Sequence, residues 1–152
     1  MTKWGIGVKL AALTAGFAVA LGAADRFVLP HWRVGFIGRG AAFIIGGVLI
    51  ACGAAVLVIS TRAVYPAFRQ GRLVTTGIFG LVRNPIYAAW TLLIVPGILL
   101  IARCAIMWLV PVFMYAVFKV LIRAEDEYLE RKFGAEYRAY RAKTGELFPR
   151  LW

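Results

Sequence analysis

Residues Ala41 to Ser60 read AAFIIGGVLIACGAAVLVIS and carry no charge. A bilayer core about 30 Å thick needs roughly 20 helical residues to cross it, and this run supplies them. The rest of the chain agrees: 62% of its 152 residues are hydrophobic, more than an ordinary soluble domain carries. Outward from that anchor, the hydropathy pattern predicts further spans at about 5–24, interrupted only by Lys9, at 86–102 and at 104–122. The expectation is an all-α polytopic membrane protein of about four transmembrane helices, with an interfacial segment and C-terminal cytoplasmic helices, forming a single membrane domain over 1–152. Leu10 to Ala23 ends in small residues, as a signal peptide cleaved near Ala23 would. With no soluble domain behind it, a retained span is expected instead.

The formal charge of +11 would suggest nucleic acid in a soluble protein, but here the cations flank apolar runs rather than interleave with exposed aromatics. No nucleic acid is expected. With four spans, Lys3, Lys9, Arg62, Arg69, Arg72, Arg83 and the tail from Lys119 fall on one side, and Arg26, Arg33, Arg39 and Arg103 on the other. The positive-inside rule then puts both termini in the cytoplasm. Cys52 inside a span and Cys104 at a predicted turn offer neither a disulfide nor a metal-ligand spacing. His31, the only histidine, falls in the loop expected outside, which excludes histidine-based catalysis and zinc chemistry.

Gly46, Gly47, Gly53, Ala54 and Ala55 read as a close-packing face between helices in lipid. Pro96-Gly97 and Pro111 are expected to kink the third and fourth spans and to open a lateral gap between them. The stretch from Arg62 to Arg83 mixes four arginines with Tyr65, Phe68, Leu73, Val74 and Phe79, and should lie along the interface. Gly77 after Thr75-Thr76 marks a turn needing positive φ or a close approach. Asn84-Pro85 marks a helix entry, with Asn84 able to cap or to contact a ligand.

Two charged clusters bracket the last two predicted spans: Arg83-Asn84-Pro85-Ile86-Tyr87 before them and Arg123-Ala124-Glu125-Asp126-Glu127 after them. If those spans form an antiparallel hairpin, an arginine, an amide, a tyrosine and adjacent carboxylates converge at one membrane face. After Ile122 the helix should continue to Phe133, break at Gly134 and resume over about Glu136 to Lys143. On it, Leu121, Glu125, Tyr128, Leu129 and Lys132 share one side. Glu127, Glu130, Arg131, Lys132 and Glu136 read as a solvated, salt-bridged surface. Glu125 and Asp126 differ, because carboxylates within a turn of the membrane exit are costly unless a cation lies near.

The run from Leu73 through Gly77 and Phe79, then Arg83-Asn84-Pro85-Ile86-Tyr87, an apolar hairpin, Glu125-Asp126-Glu127-Tyr128-Leu129, Phe133-Gly134-Ala135-Glu136-Tyr137 and Pro149 resembles the isoprenylcysteine carboxyl methyltransferase and phospholipid methyltransferase family. The likeness spans a core of about 71–149. It implies a membrane enzyme that binds S-adenosylmethionine on the cytoplasmic side and methylates a lipophilic or lipid-linked acceptor, a carboxylate or an amine. By that resemblance Leu73 and Val74 line the cofactor pocket, Phe79 packs on the cofactor, and Asn84, Pro85, Ile86 and Tyr87 form the floor. Glu125 receives the charged methionyl end, with Asp126 in place of a second Glu. Arg83, Tyr87 and Glu125 are the expected catalytic residues.

The chain departs from the family pattern at three positions. Asn84 stands where histidine is common, Ala89 replaces a usual glycine, and Leu121 occupies the place of a substrate-holding arginine, for which Arg123 is the candidate substitute. Two alternatives differ in class: a related reductase using NADPH, and a non-catalytic membrane protein that retains the fold. Methyl transfer itself needs no metal, only orientation and exclusion of water. An amine acceptor would need a base, for which Glu125, Asp126 and Tyr87 are available.

Overall fold

The computed structural model describes residues 6–27, 33, 35 and 37–150; His31 and Lys3 lie outside them. Among the described residues four helices are long and apolar enough to cross a membrane: Gly7–Phe27, Arg39–Arg69, Pro85–Ala102 and Ile106–Phe133. In hydrocarbon every backbone N–H and C=O must be satisfied within the protein, and a helix does this locally. The protein is all-helical and integral to the membrane. We label the first span α1 (Gly7–Phe27) and the second α2 (Arg39–Arg69), followed by one turn α3 (Ile78–Leu81). The third span starts as α4 (Pro85–Ala88), passes through a π-helical stretch (Ala89–Ile94) and ends as α5 (Val95–Ala102). A 3₁₀ turn (Ile106–Trp108) opens the fourth, which continues as α6 (Leu109–Phe133), and α7 (Ala135–Lys143) closes the helical set.

Side chains such as Val19, Phe43, Val112 and Val120 point outward, all more than half exposed, as expected where lipid replaces water as solvent. Inside, the second and third spans meet at glycines. A Cβ on Gly46 would stand 2.6 Å from the carbonyl oxygen of Gly97, and a Cβ on Gly97 would stand 2.7 Å from that of Gly46. Gly53 is closed in by Leu93 and Ile94, whereas Gly47 faces open space. Of the small residues expected to mediate close approach, Gly46 and Gly53 do so and Gly47 does not. Across the molecule α1 packs on α6, with the rings of Phe17 and Phe113 stacked at 4.1 Å. Ile6, Leu10, Met114, Phe118, Ile122 and Leu147 form the core at one end of that pair.

Three expectations need correction. The helix entering the arginine-rich stretch does not stop near Ser60: α2 runs on to Arg69 with Pro66 inside it. Hydropathy marks where a span leaves apolar surroundings, but the backbone stays helical until Gly71, whose φ of +66° ends it. The irregularity of the third span precedes Pro96. Without an N–H, and with its ring against the carbonyl four residues back, a proline disrupts the α ladder; Val95 N–H then reaches back five residues to the carbonyl of Trp90. Pro111 kinks nothing, because it sits in the first turn of α6, where its missing N–H would have had no intrahelical partner.

The break at Gly134 stands where the sequence places it, at φ +54°. Gly77 takes φ +61° and an added Cβ there would meet nothing, so of its two expected roles it performs the conformational one. Cys52 and Cys104 are both free.

Candidate active site

Positive φ at Gly77 turns the chain into α3, which buries Phe79. Val82 is then extended and pairs with Gly145 in an isolated parallel bridge. Arg83 N–H donates to the Gly145 carbonyl at 2.7 Å and Asn84 N–H to the Glu146 carbonyl at 3.1 Å. The chain's C-terminal segment thus straps the entry of the third span. Pro85, at the first helical position, has no N–H to leave unmet. Asn84 occupies the N-cap position without a side-chain cap. Its amide Nδ2 instead donates to the Glu146 carbonyl at 3.4 Å, the strap having drawn it away from the helix.

Arg83 is held from several sides, its side chain only 9% exposed. Nη1 donates to the carbonyls of Arg141 at 3.2 Å and Thr144 at 3.1 Å. Nη2 lies 3.7 Å from Asp126 Oδ2 and 3.8 Å from Glu146 Oε1. Asp126 is itself buried; it accepts a hydrogen bond from Tyr137 Oη and lies 3.8 Å from Arg141. Lys119 Nζ donates to the other oxygen of Glu146 at 2.6 Å. Tyr140 Oη donates to the Phe79 carbonyl at 2.7 Å, tying α7 to α3. Burial raises both tyrosines: Tyr140 is pushed up to about 12, with the nearby Arg83 charge pulling the other way, and Tyr137 is raised further, by burial and then by its bond to Asp126. Both remain donors throughout the physiological range.

Above this clamp lies a cavity of about 620 Å³, within the range that encloses a small molecule of nucleoside size. Leu73, Val74, Phe79, Arg83, Asn84, Pro85, Ile86, Tyr87 and Glu125 all line it. Of the expected site residues, two stand elsewhere. Asp126, one residue and about 100° of helix beyond Glu125, points into the Arg83 and Tyr137 cluster and does not line the cavity. Arg123 is exposed and outside it. Two buried polar atoms of the lining residues have no hydrogen-bond partner among the described residues: Arg83 Nε and Glu125 Oε2. A buried carboxylate oxygen and a buried guanidinium N–H that both go unmet are each expensive unless a ligand of the matching polarity completes them. Among the described residues no group of His, Cys, Asp or Glu could hold a metal ion.

Sequence reasoning missed several lining residues. Tyr137 and Tyr140 reach the cavity from α7, Tyr65, Phe68 and Arg69 from the extended end of α2, and Arg72 from just beyond the turn at Gly71. Lys132, read as a solvated surface cation, also lines the cavity, its ammonium 5.8 Å from the Phe68 ring and 5.0 Å from that of Phe133. Its place on the Glu125 side of the helix was the available signal. Glu130 fits the surface reading, paired with Arg138 at 3.6 Å and Arg141 at 3.7 Å.

A chain with four apolar helices long enough to span a bilayer and a cavity at one end of its last hairpin, lined by aromatic and charged side chains, is an integral membrane protein. The phospholipid methyltransferase family matches residues 36–136, about two thirds of the chain, and the protein belongs to that family of membrane methyltransferases. No curated protein and no solved structure matches it.

Proposed function

We propose that the cavity binds S-adenosylmethionine and that the protein transfers its methyl group to a lipophilic or lipid-linked acceptor at the cytoplasmic leaflet, with both termini in the cytoplasm. The observation that carries this reading is a pair of unmet groups on residues that line one cavity, Glu125 Oε2 and Arg83 Nε. A zwitterionic amino-acid end complements both: its ammonium answers Glu125 and its carboxylate answers Arg83, each by a charge-assisted hydrogen bond. Phe79 and the tyrosines offer faces to an adenine ring, while Leu73, Val74 and Asn84 to Tyr87 form the remaining wall.

Bound there, the cofactor supplies a methyl carbon that the acceptor's lone pair takes as the carbon–sulfur bond breaks and its electron pair returns to sulfur. What this chain contributes is orientation and dryness. The buried Arg83 clamp fixes one end of the ligand, the aromatic walls exclude water, and Tyr87 stands at the membrane side of the cavity. An amine acceptor also releases a proton, for which Glu125 is the lining carboxylate able to accept one. Asp126 is committed to Arg83 and Tyr137 and acts through them.

Calorimetric titration of purified protein with S-adenosylmethionine, and in parallel with NADPH, tests this reading. Binding of the first alone is expected, and Glu125→Gln should weaken it about 10- to 100-fold, since a hydrogen bond to a charged group contributes roughly 1.5–3 kcal/mol. Undiminished affinity in that variant would reject the site. Binding of NADPH instead would favour a reductase, and binding of neither a non-catalytic protein.

A further inference from the structure

A second cavity of about 530 Å³ lies between α1, the third span and α6, with an almost wholly apolar lining. It adjoins the first, with Ile86 and Tyr87 as their common wall. At Gly7 α1 lies against the shared wall: an added Cβ would stand 3.7 Å from Tyr87 Oη, in ordinary contact. The family match begins at residue 36. The α1 wall of this groove therefore lies outside the matched residues.

One polar group interrupts the apolar lining. Thr14 is 8% exposed, belongs to the groove, and its Oγ1 has no hydrogen-bond partner among the described residues. A threonine or serine in a helix commonly satisfies its hydroxyl on the carbonyl four residues back, and Ser60 and Thr61 in α2 do so at 2.6 and 2.7 Å. Thr14 does not. An unmet hydroxyl in an apolar, lipid-facing groove is the kind of donor a ligand carbonyl answers. Seven residues at about 1.5 Å each place Thr14 some 10 Å along α1 from the level of Gly7 and Tyr87.

Resting on the methyl-transfer reading above, we propose that this groove is the acceptor's subsite and that α1 selects the acceptor. It takes the hydrocarbon chain of an ester- or amide-linked lipid whose carbonyl accepts a hydrogen bond from Thr14, about 10 Å from the atom that is methylated beside Tyr87. The opening toward the bilayer lets such a chain enter sideways without leaving the membrane.

The test uses the full-length protein in nanodiscs, a total membrane lipid extract and S-adenosylmethionine labelled in its methyl group. Ala15→Phe, which fills the groove, is expected to cut labelled lipid at least tenfold while donor affinity by calorimetry stays within twofold. Leu13→Phe, on the face of the same helix turned away from the groove and half exposed, should match the wild type. Thr14→Val should lower labelling of ester- or amide-linked lipid about five- to tenfold. Labelling by Ala15→Phe at the wild-type rate would overturn the groove assignment, and an unchanged Thr14→Val would overturn the carbonyl contact.

A photoreactive benzoylphenylalanine at Ala11 gives a readout independent of turnover. Capture of one enriched ester- or amide-linked lipid species supports the subsite, and capture of lipids in their bulk proportions overturns it. Wild-type protein that fails to bind the donor would reject the methyl-transfer reading, while the cross-link still decides what occupies the groove.

Discussion

The third span is held at its two ends by opposite physics. Deep in the membrane it meets α2 through Gly46 and Gly97, where nothing directional is made and contact depends on the absence of two side chains. At its polar entry it is gripped by Arg83, whose guanidinium is met by two carbonyls and two carboxylates from α6, α7 and the C-terminal strap. In lipid, apolar surface gives helices little reason to associate, so close backbone approach does the work. Near water, fixing a geometry for charge recognition needs groups that point. The cavity opens at the second kind of contact, and damage to the two should differ in kind as well as size.

The largest expected effect is at the clamp. Asp126→Ala removes a buried partner of a buried arginine and deprives Tyr137 of its acceptor. Breaking such a pair costs about 3–5 kcal/mol, and the value should fall toward the lower end because Glu146 still faces Arg83. Unfolding in mixed micelles measures it, and donor affinity should fall in parallel as the guanidinium loses its position. Gly97→Val comes next. Its side chain would meet the Gly46 carbonyl and Ile50, and overpacking of this sort costs about 1–3 kcal/mol. Here the prediction separates the two regions: once folded, the variant should bind S-adenosylmethionine nearly as the wild type does, because the seam carries no ligand group.

A smaller effect concerns Tyr140. Its folded pKa is raised above the ordinary value of 10.0, to about 12, so the folded state holds the proton more tightly than the unfolded chain. The contribution of the protonated side chain is therefore complete below pH 10 and is lost as pH rises from 10 through 12. The unfolding midpoint should decline over that window, and Tyr140→Phe should flatten part of the decline.

Much of this arrangement is legible in the sequence for identifiable reasons. Spans show because lipid demands long uncharged runs, and Gly134 shows because a positive φ favours glycine. Glu125 is placed on the cavity side by helical spacing alone, and the same spacing turns Asp126 away from it. The clamp is not legible, because Arg83 and Asn84 are held largely by backbone carbonyls of residues 141–146, and a carbonyl has no residue-type signature. The π-helical stretch before Pro96 is hidden likewise: it is a change of ladder, not of composition. Lys132 is exposed, as a surface cation should be; its second place, at the cavity beside Phe68 of α2, is not legible because that neighbour is distant in sequence.

The smallest effect tests where the clamp ends. Lys119 donates to Glu146 at 2.6 Å, but its side chain is 45% exposed, and exposed ion pairs contribute about 0–1 kcal/mol because water and salt screen them. Lys119→Ala should therefore cost no more than that, with the loss shrinking further at high ionic strength, since Glu146 keeps Arg83 as its partner. A salt-insensitive loss well above about 1 kcal/mol would mean that Glu146 sits in a low-dielectric setting shared with Asp126. The directional grip on the third span would then extend through the C-terminal strap as far as Lys119, and the contrast with the glycine seam would be sharper than the exposure of this lysine suggests.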